Sequence, residues 1–306
     1  MSAARVLVQA PATSANLGPG FDAAGIALDW WDTLEVTVDE GGAAGPPVPM
    51  RVAGEQAELI PTGPGNLVRL AMERLAAAAG SDLPPVRLAL VKGFPLGRGF
   101  GSSAAAVALG LLAARELVAP GLPEAELLSL ASELEGHPDN AAACLAGGAT
   151  MSWREAAGVR AHAVDVHPDL VAAALVAAEP MATVEARRLL PERVPFAVAA
   201  RTAGRAALLP LALAGDFDLL VPATEDELHQ PARLARQPVA AALLAALRGR
   251  GHAAFLSGAG PSLLLLAPRS GLAGAEADAA EVLAGAAGWR LHALEIARGG
   301  ARAGGA

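Results

Sequence analysis

The chain has 306 residues, of which 53% are hydrophobic and 18% charged; this allows one large or two ordinary domains with a sizeable core and excludes a disordered chain. The net charge of −8 argues against a nucleic-acid or anionic-membrane partner. A single cysteine, Cys144, leaves no intrachain disulfide, which fits a reducing cytosol.

The N-terminal segment predicts a strand followed by a polar turn. Residues 5–9 have strand character without a signal-peptide apolar region, so we expect a cytoplasmic protein. Residues 10–22 then combine Pro, Ser, Asn and Gly, which is turn chemistry. Asn16 and Asp22 lie on this turn, a usual place for substrate contacts. The alternative is a plain turn whose Asn and Asp bond to their own backbone.

Strand and helix patterns alternate over the next part of the chain. Residues 27–38 predict a strand, residues 67–79 a helix, and residues 86–91 a second strand. Asn66 immediately precedes the helix and is well placed as its N-cap, a role that needs no ligand.

The most informative stretch is Pro95 to Ala106, Pro-Leu-Gly-Arg-Gly-Phe-Gly-Ser-Ser-Ala-Ala-Ala. Alternating glycines let several main-chain N–H groups converge on one anion. A helix from Ser102 to about Val118 adds unpaired N–H groups and a positive dipole end, so we predict a phosphate-binding loop. The loop is not of the Walker type, since the single lysine, Lys92, precedes it, and G-x-G-x-G differs from the dinucleotide pattern. A plain glycine-rich connection is the alternative.

A polar cluster follows the next predicted helix, residues 124–134. Within eight residues it contains Glu133, Glu135, His137, Asp139 and Asn140. Such groups are costly to bury without partners, yet a very apolar run follows at once. The cluster therefore suggests a site, with a solvated helix end and a structural histidine as the alternatives.

The pattern changes around residues 154–159, where we place a domain boundary. Arginines at 187 and 233 follow it; arginine can bind a carboxylate or phosphate by two parallel hydrogen bonds, although surface helix faces also carry it. The predicted elements are a buried strand (170–178), a short helix (181–191), a longer helix (195–214), a glycine turn between apolar runs (257–262) and an edge strand with a loose tail (289–302).

Several of these stretches resemble motifs of the GHMP small-molecule kinases. Residues 95–105 are similar to the family's ATP-binding loop, with Phe100 where Leu is usual, and residues 257–262 to its third motif. Residues 10–22, 136–140, 183–191 and 227–233 resemble more specifically the homoserine kinase branch, with Ala232 in place of a tyrosine. The resemblance spans residues 5 to about 302. It implies an α+β, two-domain fold with an ATP-binding domain (1–155), a C-terminal domain (156–306) and the active site between them.

The resemblance also implies a reaction and its site residues. The reaction is phosphorylation of the L-homoserine hydroxyl by ATP, in threonine biosynthesis. ATP would be bound by Asn66, Pro95, Leu96, Gly97, Arg98, Gly99, Phe100, Gly101, Ser102, Ser103, Ala104 and Ala105. L-Homoserine would be bound by Asn16, Asp22, His137, Asp139, Arg187 and Arg233. Mg²⁺ would be held by Ser102 and Glu133, with Glu135 as the rival, and catalytic roles fall to Asn16, Asn140 and Ser102.

Asn140 lies in the region where mevalonate-type relatives carry an aspartate base. An amide cannot accept a proton as a base, so we expect Asn140 to orient the hydroxyl while the proton leaves through phosphate or water. Two alternative functions stay open: a GHMP kinase for another small alcohol, and a non-catalytic nucleotide-dependent sensor. Neither a nucleic acid nor a membrane is expected as a partner, whereas a homodimer is an option because dimers are common among these kinases.

Overall fold

The computed structural model describes residues 5–39, 48–181 and 183–305. Its first sheet has seven strands, in the order β11-β1-β2-β4-β3, with β5 paired to both β2 and β6. Numbered along the chain, they are β1 (Arg5–Ala15), β2 (Ala24–Val38), β3 (Arg51–Gly54), β4 (Val86–Lys92), β5 (Ala149–Glu155), β6 (Gly158–Val164) and β11 (Arg302–Gly305). The C-terminal strand thus returns to the N-terminal one, where Val6 pairs with Gly305.

Four helices accompany this sheet: α1 (Leu67–Ala78), α2 (Ser102–Val118), α3 (Glu124–Glu135) and α4 (Asp139–Ala146). Side chains all around α2 are buried, including Val107, Leu109 and Leu111. A helix that is apolar around its whole circumference belongs to a core. The middle of α2 is therefore anchored in the core, and this fixes the position of its N-terminus, where the glycine loop ends.

The second sheet has four antiparallel strands in the order β10-β7-β9-β8. They are β7 (Leu170–Val176), β8 (Ala253–Leu256), β9 (Leu263–Pro268) and β10 (Arg290–Glu295). Every residue of β7 is buried, as in a strand covered on both faces. The remaining helices are α5 (Thr183–Arg188), α6 (Phe196–Ala214), α7 (Leu220–Ala223), α8 (Gln230–Leu234), α9 (Pro238–Gly249) and α10 (Leu272–Leu283).

The predicted α+β fold is confirmed, with differences in detail. β6 continues the first sheet past residue 155 and the second sheet begins at Leu170, so the change of pattern predicted around residues 154–159 falls at the β5–β6 connection of the first sheet. The predicted tail after β10 is not loose. Ala297 N donates to Ala27 O at 3.0 Å and Ala301 N to Cys144 O at 2.7 Å, which leads the chain back to the first sheet.

One described helix, α6, is long and apolar enough to cross a membrane, with a mean hydropathy of 1.3. It contains Gly204 and Pro210, and its Arg201 and Arg205 form ion pairs with Glu227. A single helix of this kind is weak evidence for a span. We interpret α6 as a helix at the protein surface.

Candidate functional site

A cavity of about 210 Å³ lies where the β4–α2 loop meets the β8–β9 turn. It brings together many of the predicted site residues: Asn16, Asp22, Leu96, Gly97, Gly99, Gly101, Ser102, Ser103, His137, Asp139, Asn140, Arg187 and Arg233. Ala15, Met181, Gly258, Ala259 and Gly260 complete the lining. The other predicted site residues lie outside it: Asn66, Pro95, Arg98, Phe100, Ala104, Ala105 and Glu133.

The loop glycines are required by their surroundings. Gly97, Gly99 and Gly101 have left-handed φ values of +68°, +87° and +64°. A Cβ on Gly99 would lie 2.1 Å from the Ser257 carbonyl oxygen, and one on Gly101 would lie 1.9 Å from Thr13 Oγ1. Because no side chain fits at either position, these glycines present only main-chain atoms to the cavity.

The two side chains between the glycines anchor the loop. Arg98 is buried and donates to the carbonyl oxygens of Ala177 at 3.1 Å and Ala178 at 2.7 Å. Phe100 is 1% exposed and belongs to the main hydrophobic core, so it keeps the apolar anchor expected at this position. Contact of either residue with a nucleotide in the cavity would therefore be through the main chain.

Asn66 is the N-cap of α1, as predicted. Its Oδ1 accepts a hydrogen bond from Val68 N at 2.9 Å, and its Nδ2 donates to Pro61 O at 2.6 Å. Both ends of the amide are thus used within the protein. The predicted contact of Asn66 with the nucleotide gains no support from this geometry.

Beneath the loop lies a buried ion pair that the sequence analysis did not identify as part of the site. Lys92, the last residue of β4, donates to Asp32 and, at 3.0 Å, to Ser102 Oγ. The Lys92 and Asp32 side chains are 2% and 1% exposed. Burial raises the pKa of Asp32 and lowers that of Lys92, while their mutual attraction opposes both shifts.

The two glutamates of α3 have different surroundings. Glu135 accepts a hydrogen bond from Ser103 Oγ at 2.8 Å, beside the loop. Burial raises the pKa of Glu135, and the Ser103 hydrogen bond and the charge of His137 offset part of that rise. Glu133 instead pairs with Arg74 at 2.7 Å, and its side chain is 57% exposed. The structure thus places Glu135, rather than Glu133, next to the predicted phosphate site.

The start of α4 arranges three of the predicted residues. Asp139 Oδ1 accepts from Asn140 N at 2.8 Å and contacts His137 Nδ1 at 2.7 Å. Burial lowers the pKa of His137, but the hydrogen bond and charge of Asp139 outweigh it and leave that pKa raised. Asn140 Oδ1 accepts from Thr13 Oγ1 at 2.7 Å, which fixes the orientation of the amide and leaves its NH₂ group as a donor.

The turn after β1 holds Asn16 and Asp22 in left-handed conformations, with φ of 69° and 55°. Asn16 Nδ2 donates to Gly258 O at 2.9 Å, while its Oδ1 accepts from Asp22 N at 3.1 Å. Asparagine and aspartate are the non-glycine residues that adopt this region most readily, which suits them to this tight turn. Asn16 therefore ties the N-terminal turn to the third glycine motif.

Two arginines close the other end of the cavity. Arg187 forms a bidentate ion pair with Asp22, at 2.7 and 2.9 Å. Arg233 is buried and donates to Gly258 O at 3.1 Å. Burial and the like charge of Arg187 lower the pKa of Arg233 to about 10, so the guanidinium stays charged at neutral pH. Both guanidinium groups lie over the Phe21 ring, within 5.5 Å of its centroid.

His229, from the 227–233 motif, fixes Arg233 in place. Its Nε2 bonds to Gly18 O at 2.8 Å, and its Nδ1 to Arg233 Nη1 at 2.9 Å. Burial lowers the pKa of His229, which favours the neutral ring. Neutral His229 can then donate from Nε2 and accept at Nδ1, so the tautomer follows from its two partners.

The third glycine motif packs directly on the loop. Ser257 Oγ lies 2.7 Å from Gly99 O and 2.9 Å from Ser14 Oγ, and Gly258 N donates to Ala15 O at 3.2 Å. Residues from β1, the loop and the β8–β9 turn thus meet at one point. Thr13, Asp32, Lys92 and His229 were missed as site residues. Thr13 pairs with the distant Asn140, and Asp32 and Lys92 pair with each other across 60 residues, so no local pattern marks them. His229 lies in the 227–233 motif, four residues before Arg233, and that motif could have identified it.

The comparisons with known proteins agree with this geometry. Residues 66–148 match the GHMP kinases N-terminal domain and residues 208–284 the GHMP kinases C-terminal domain. The chain is 42% identical to the homoserine kinase of Streptomyces coelicolor over 98% of this chain and 94% of that protein. It is 46% identical to that of Mycolicibacterium smegmatis over 85% and 84%.

A solved structure shows the same fold. The crystal structure of homoserine kinase from Cytophaga hutchinsonii superposes with a TM-score of 0.84 at 24% identity, over 98% of this chain and 97% of that one. The family models together match more than half of the chain, and the sequence relatives span nearly all of it. The chain therefore belongs to the GHMP kinases and, within them, to the homoserine kinase family.

Proposed function

We propose that this protein transfers the terminal phosphoryl group of ATP to the hydroxyl of L-homoserine, giving ADP and O-phospho-L-homoserine for threonine biosynthesis. The proposal rests mainly on the observation that one cavity has two chemically different ends. A main-chain phosphate loop lies at one end, and a carboxylate and two arginines lie at the other. The relatives that share 42% and 46% identity are homoserine kinases, which favours this reaction over the two alternatives.

The phosphate end of the cavity can bind a triphosphate through main-chain groups and needs no lysine side chain. The glycine main chain and the first turn of α2, from Ser102 onward, supply N–H groups that have no partner within the helix. Phosphoryl transfer asks mainly for positioning and for neutralisation of charge. Because α2 is packed in the hydrophobic core, its first turn is held in position for the phosphates.

The opposite end suits a small zwitterion. Asp22 would meet the ammonium group of homoserine, and Arg187 and Arg233 its carboxylate. Asp22 and Arg187 already form a matched charge pair, and Arg233 is held by His229, so the pocket presents both charges in fixed positions. Asn16, His137 and Asp139 complete this end, and Asn140 would orient the hydroxyl toward the loop.

A magnesium ion fits the residues at the phosphate end of the cavity. Ser102 offers a hydroxyl and Glu135 a carboxylate beside the loop, and we propose Glu135 in preference to Glu133. Among the described residues, no three His, Cys, Asp or Glu side chains group as metal ligands. Magnesium bound mainly through phosphate oxygens and one carboxylate needs no such group. When bound, it would neutralise the charge that develops on the phosphates.

The test is an ADP-release assay with L-homoserine and two analogues. We expect turnover with L-homoserine and at least about tenfold lower kcat/KM with 4-hydroxybutyrate, which lacks the ammonium, and with 3-aminopropan-1-ol, which lacks the carboxylate. Mevalonate serves as the control for another GHMP substrate. Turnover of mevalonate without turnover of homoserine would contradict the proposal, and ATP binding without any turnover would favour the sensor.

Three further properties are proposals of the same kind. We infer two domains, with the ATP site between them, a cytoplasmic location and no nucleic-acid or membrane partner. A homodimer also stays a prediction, which sedimentation or scattering in solution would test.

A further inference from the structure

We propose that Lys92, paired with Asp32, is a positioning residue that orients the Ser102 hydroxyl toward the phosphate end of the cavity. This inference rests on the proposed function, because it concerns the residue that would meet phosphate and magnesium. It assigns a role to the one lysine of the chain, which the mechanism above does not use.

Lys92 does not itself reach the cavity. Its side chain is 2% exposed, and its ammonium has three partners: the Asp32 carboxylate, Ser102 Oγ at 3.0 Å and the Phe94 ring, whose centroid is 4.1 Å away. An ammonium has three N–H donors, so these contacts account for all of them. Of these three partners, Ser102 is the one that lines the cavity, so it is the direct route from Lys92 to a ligand.

The bond from Lys92 determines what Ser102 can offer. A serine hydroxyl has one donor and two acceptor positions and rotates to suit its partners. Lys92 occupies one acceptor position from below the loop. The O–H and the second lone pair are then left for the cavity, which Ser102 lines.

Asp32 fixes the lysine and the entrance of the loop together. Its Oδ1 accepts from Gly93 N at 2.9 Å, and its Oδ2 contacts Lys92. A Cβ on Gly93 would lie 2.1 Å from Trp31 O, so the turn leaves β4 in close contact with β2. Because the charges of Lys92 and Asp32 cancel, we expect the pair to orient the Ser102 hydroxyl rather than to attract anions in general.

The experiment is a mutant cycle between the pair and the serine. The variants are D32N/K92M, which removes both charges and retains an acceptor for Gly93 N, S102A, and the triple variant. Binding of a non-hydrolysable ATP analogue is measured by calorimetry, with Mg²⁺ and with EDTA. S132A is the matched control, because Ser132 is fully buried in α3 and bonds to Leu128 O at 2.7 Å.

We expect D32N/K92M to weaken binding of the analogue about tenfold with Mg²⁺ and less than about twofold in EDTA. In the S102A background the same replacement should have no further effect, whereas in the S132A background it should keep its full effect. Equal losses in the S102A and S132A backgrounds, or equal losses with and without Mg²⁺, would overturn the proposal.

A second measurement needs no substitution. With one lysine in the chain, ¹⁵N-lysine labelling gives one side-chain ammonium signal, and we expect it to shift when the Mg²⁺ complex of the analogue is added. An unchanged signal would refute the link through Ser102, even if D32N/K92M did not fold. Both measurements use the nucleotide alone, so they stay interpretable if L-homoserine proves not to be the substrate.

Discussion

The two ends of the cavity are built from different parts of the chain. The phosphate end consists of main chain from one continuous stretch, Gly97 to Ser103, and it depends on the absence of side chains. The amino-acid end consists of charged side chains from segments far apart in sequence, such as Asp22, Arg187 and Arg233. Substitutions at the phosphate end should therefore lower activity by steric disruption. Substitutions at the amino-acid end should lower it by removing individual hydrogen bonds.

The largest effect is expected at the phosphate end, from Gly101→Ala. The new Cβ would lie 1.9 Å from Thr13 Oγ1 at a left-handed φ of +64°, so the loop has to move. A displacement of about 1 Å can cost about 100-fold in rate, and we expect at least that loss in kcat/KM. Gly121→Ala is the control, since nothing lies within 4 Å of its Cβ position. Equal activity of the two variants in the ADP-release assay would show that the loop is not sterically constrained.

A smaller effect is expected at the amino-acid end, from Arg233→Lys. Arg233 uses Nη1 for both Gly258 O and His229, which leaves its other N–H groups for the substrate carboxylate; a lysine ammonium cannot reproduce that planar fork. We expect KM for L-homoserine to rise about 30-fold with little change in KM for ATP. Arg236→Lys, at an exposed position of the same segment, is the control. An equal rise of both KM values would indicate that the two ends are not separate.

The metal carboxylate proposed at the phosphate end, Glu135 or Glu133, can be decided by a matched pair of variants. Glu135→Gln should raise the Mg²⁺ concentration for half-maximal activity about tenfold, since Glu135 lies beside Ser103. Glu133→Gln should change it less than about twofold, because Glu133 pairs with Arg74. The opposite ranking in a Mg²⁺ titration would restore Glu133 as the ligand.

The smallest effect concerns stability and pH at the His137–Asp139 pair. The pKa of His137 is raised in the folded protein, so the pair's contribution is fully present below the ordinary histidine pKa and is lost as pH rises through the raised value. We expect His137→Gln to be destabilising by under about 1 kcal/mol at pH 5.5, and less at pH 8.5. Chemical unfolding at both pH values measures the free energy of unfolding that the substitution removes. A larger loss at pH 8.5 than at pH 5.5 would contradict the prediction.

The comparison also explains what the sequence could predict. The predicted phosphate loop is a local feature, so its glycine spacing and the helix from Ser102 could be predicted from the sequence alone, and the structure confirms that helix. Asp22 and His137 were candidates from the local sequence, but only the resemblance to family motifs assigned them, together with Arg187, to one substrate site, since nothing in local spacing indicates that residues so far apart meet. Lys92 and Asp32 carried no such signal, because their pairing depends on the register of β2 and β4, in which Thr33 lies opposite Val91.

Glu133 and Glu135 show a further limit. Both fit the motif on α3, and the structure distinguishes them only because one reaches Ser103 and the other Arg74. For Asn66 the sequence was sufficient, because its position directly before the predicted helix correctly indicated that it is the N-cap of α1.

The most direct test is a crystal structure with L-homoserine and a non-hydrolysable ATP analogue. The account predicts the phosphates against the main chain of Gly97 to Ser103, with the homoserine ammonium at Asp22 and its carboxylate at Arg187 and Arg233. Phosphates bound away from that main chain, or homoserine bound outside the cavity, would contradict it.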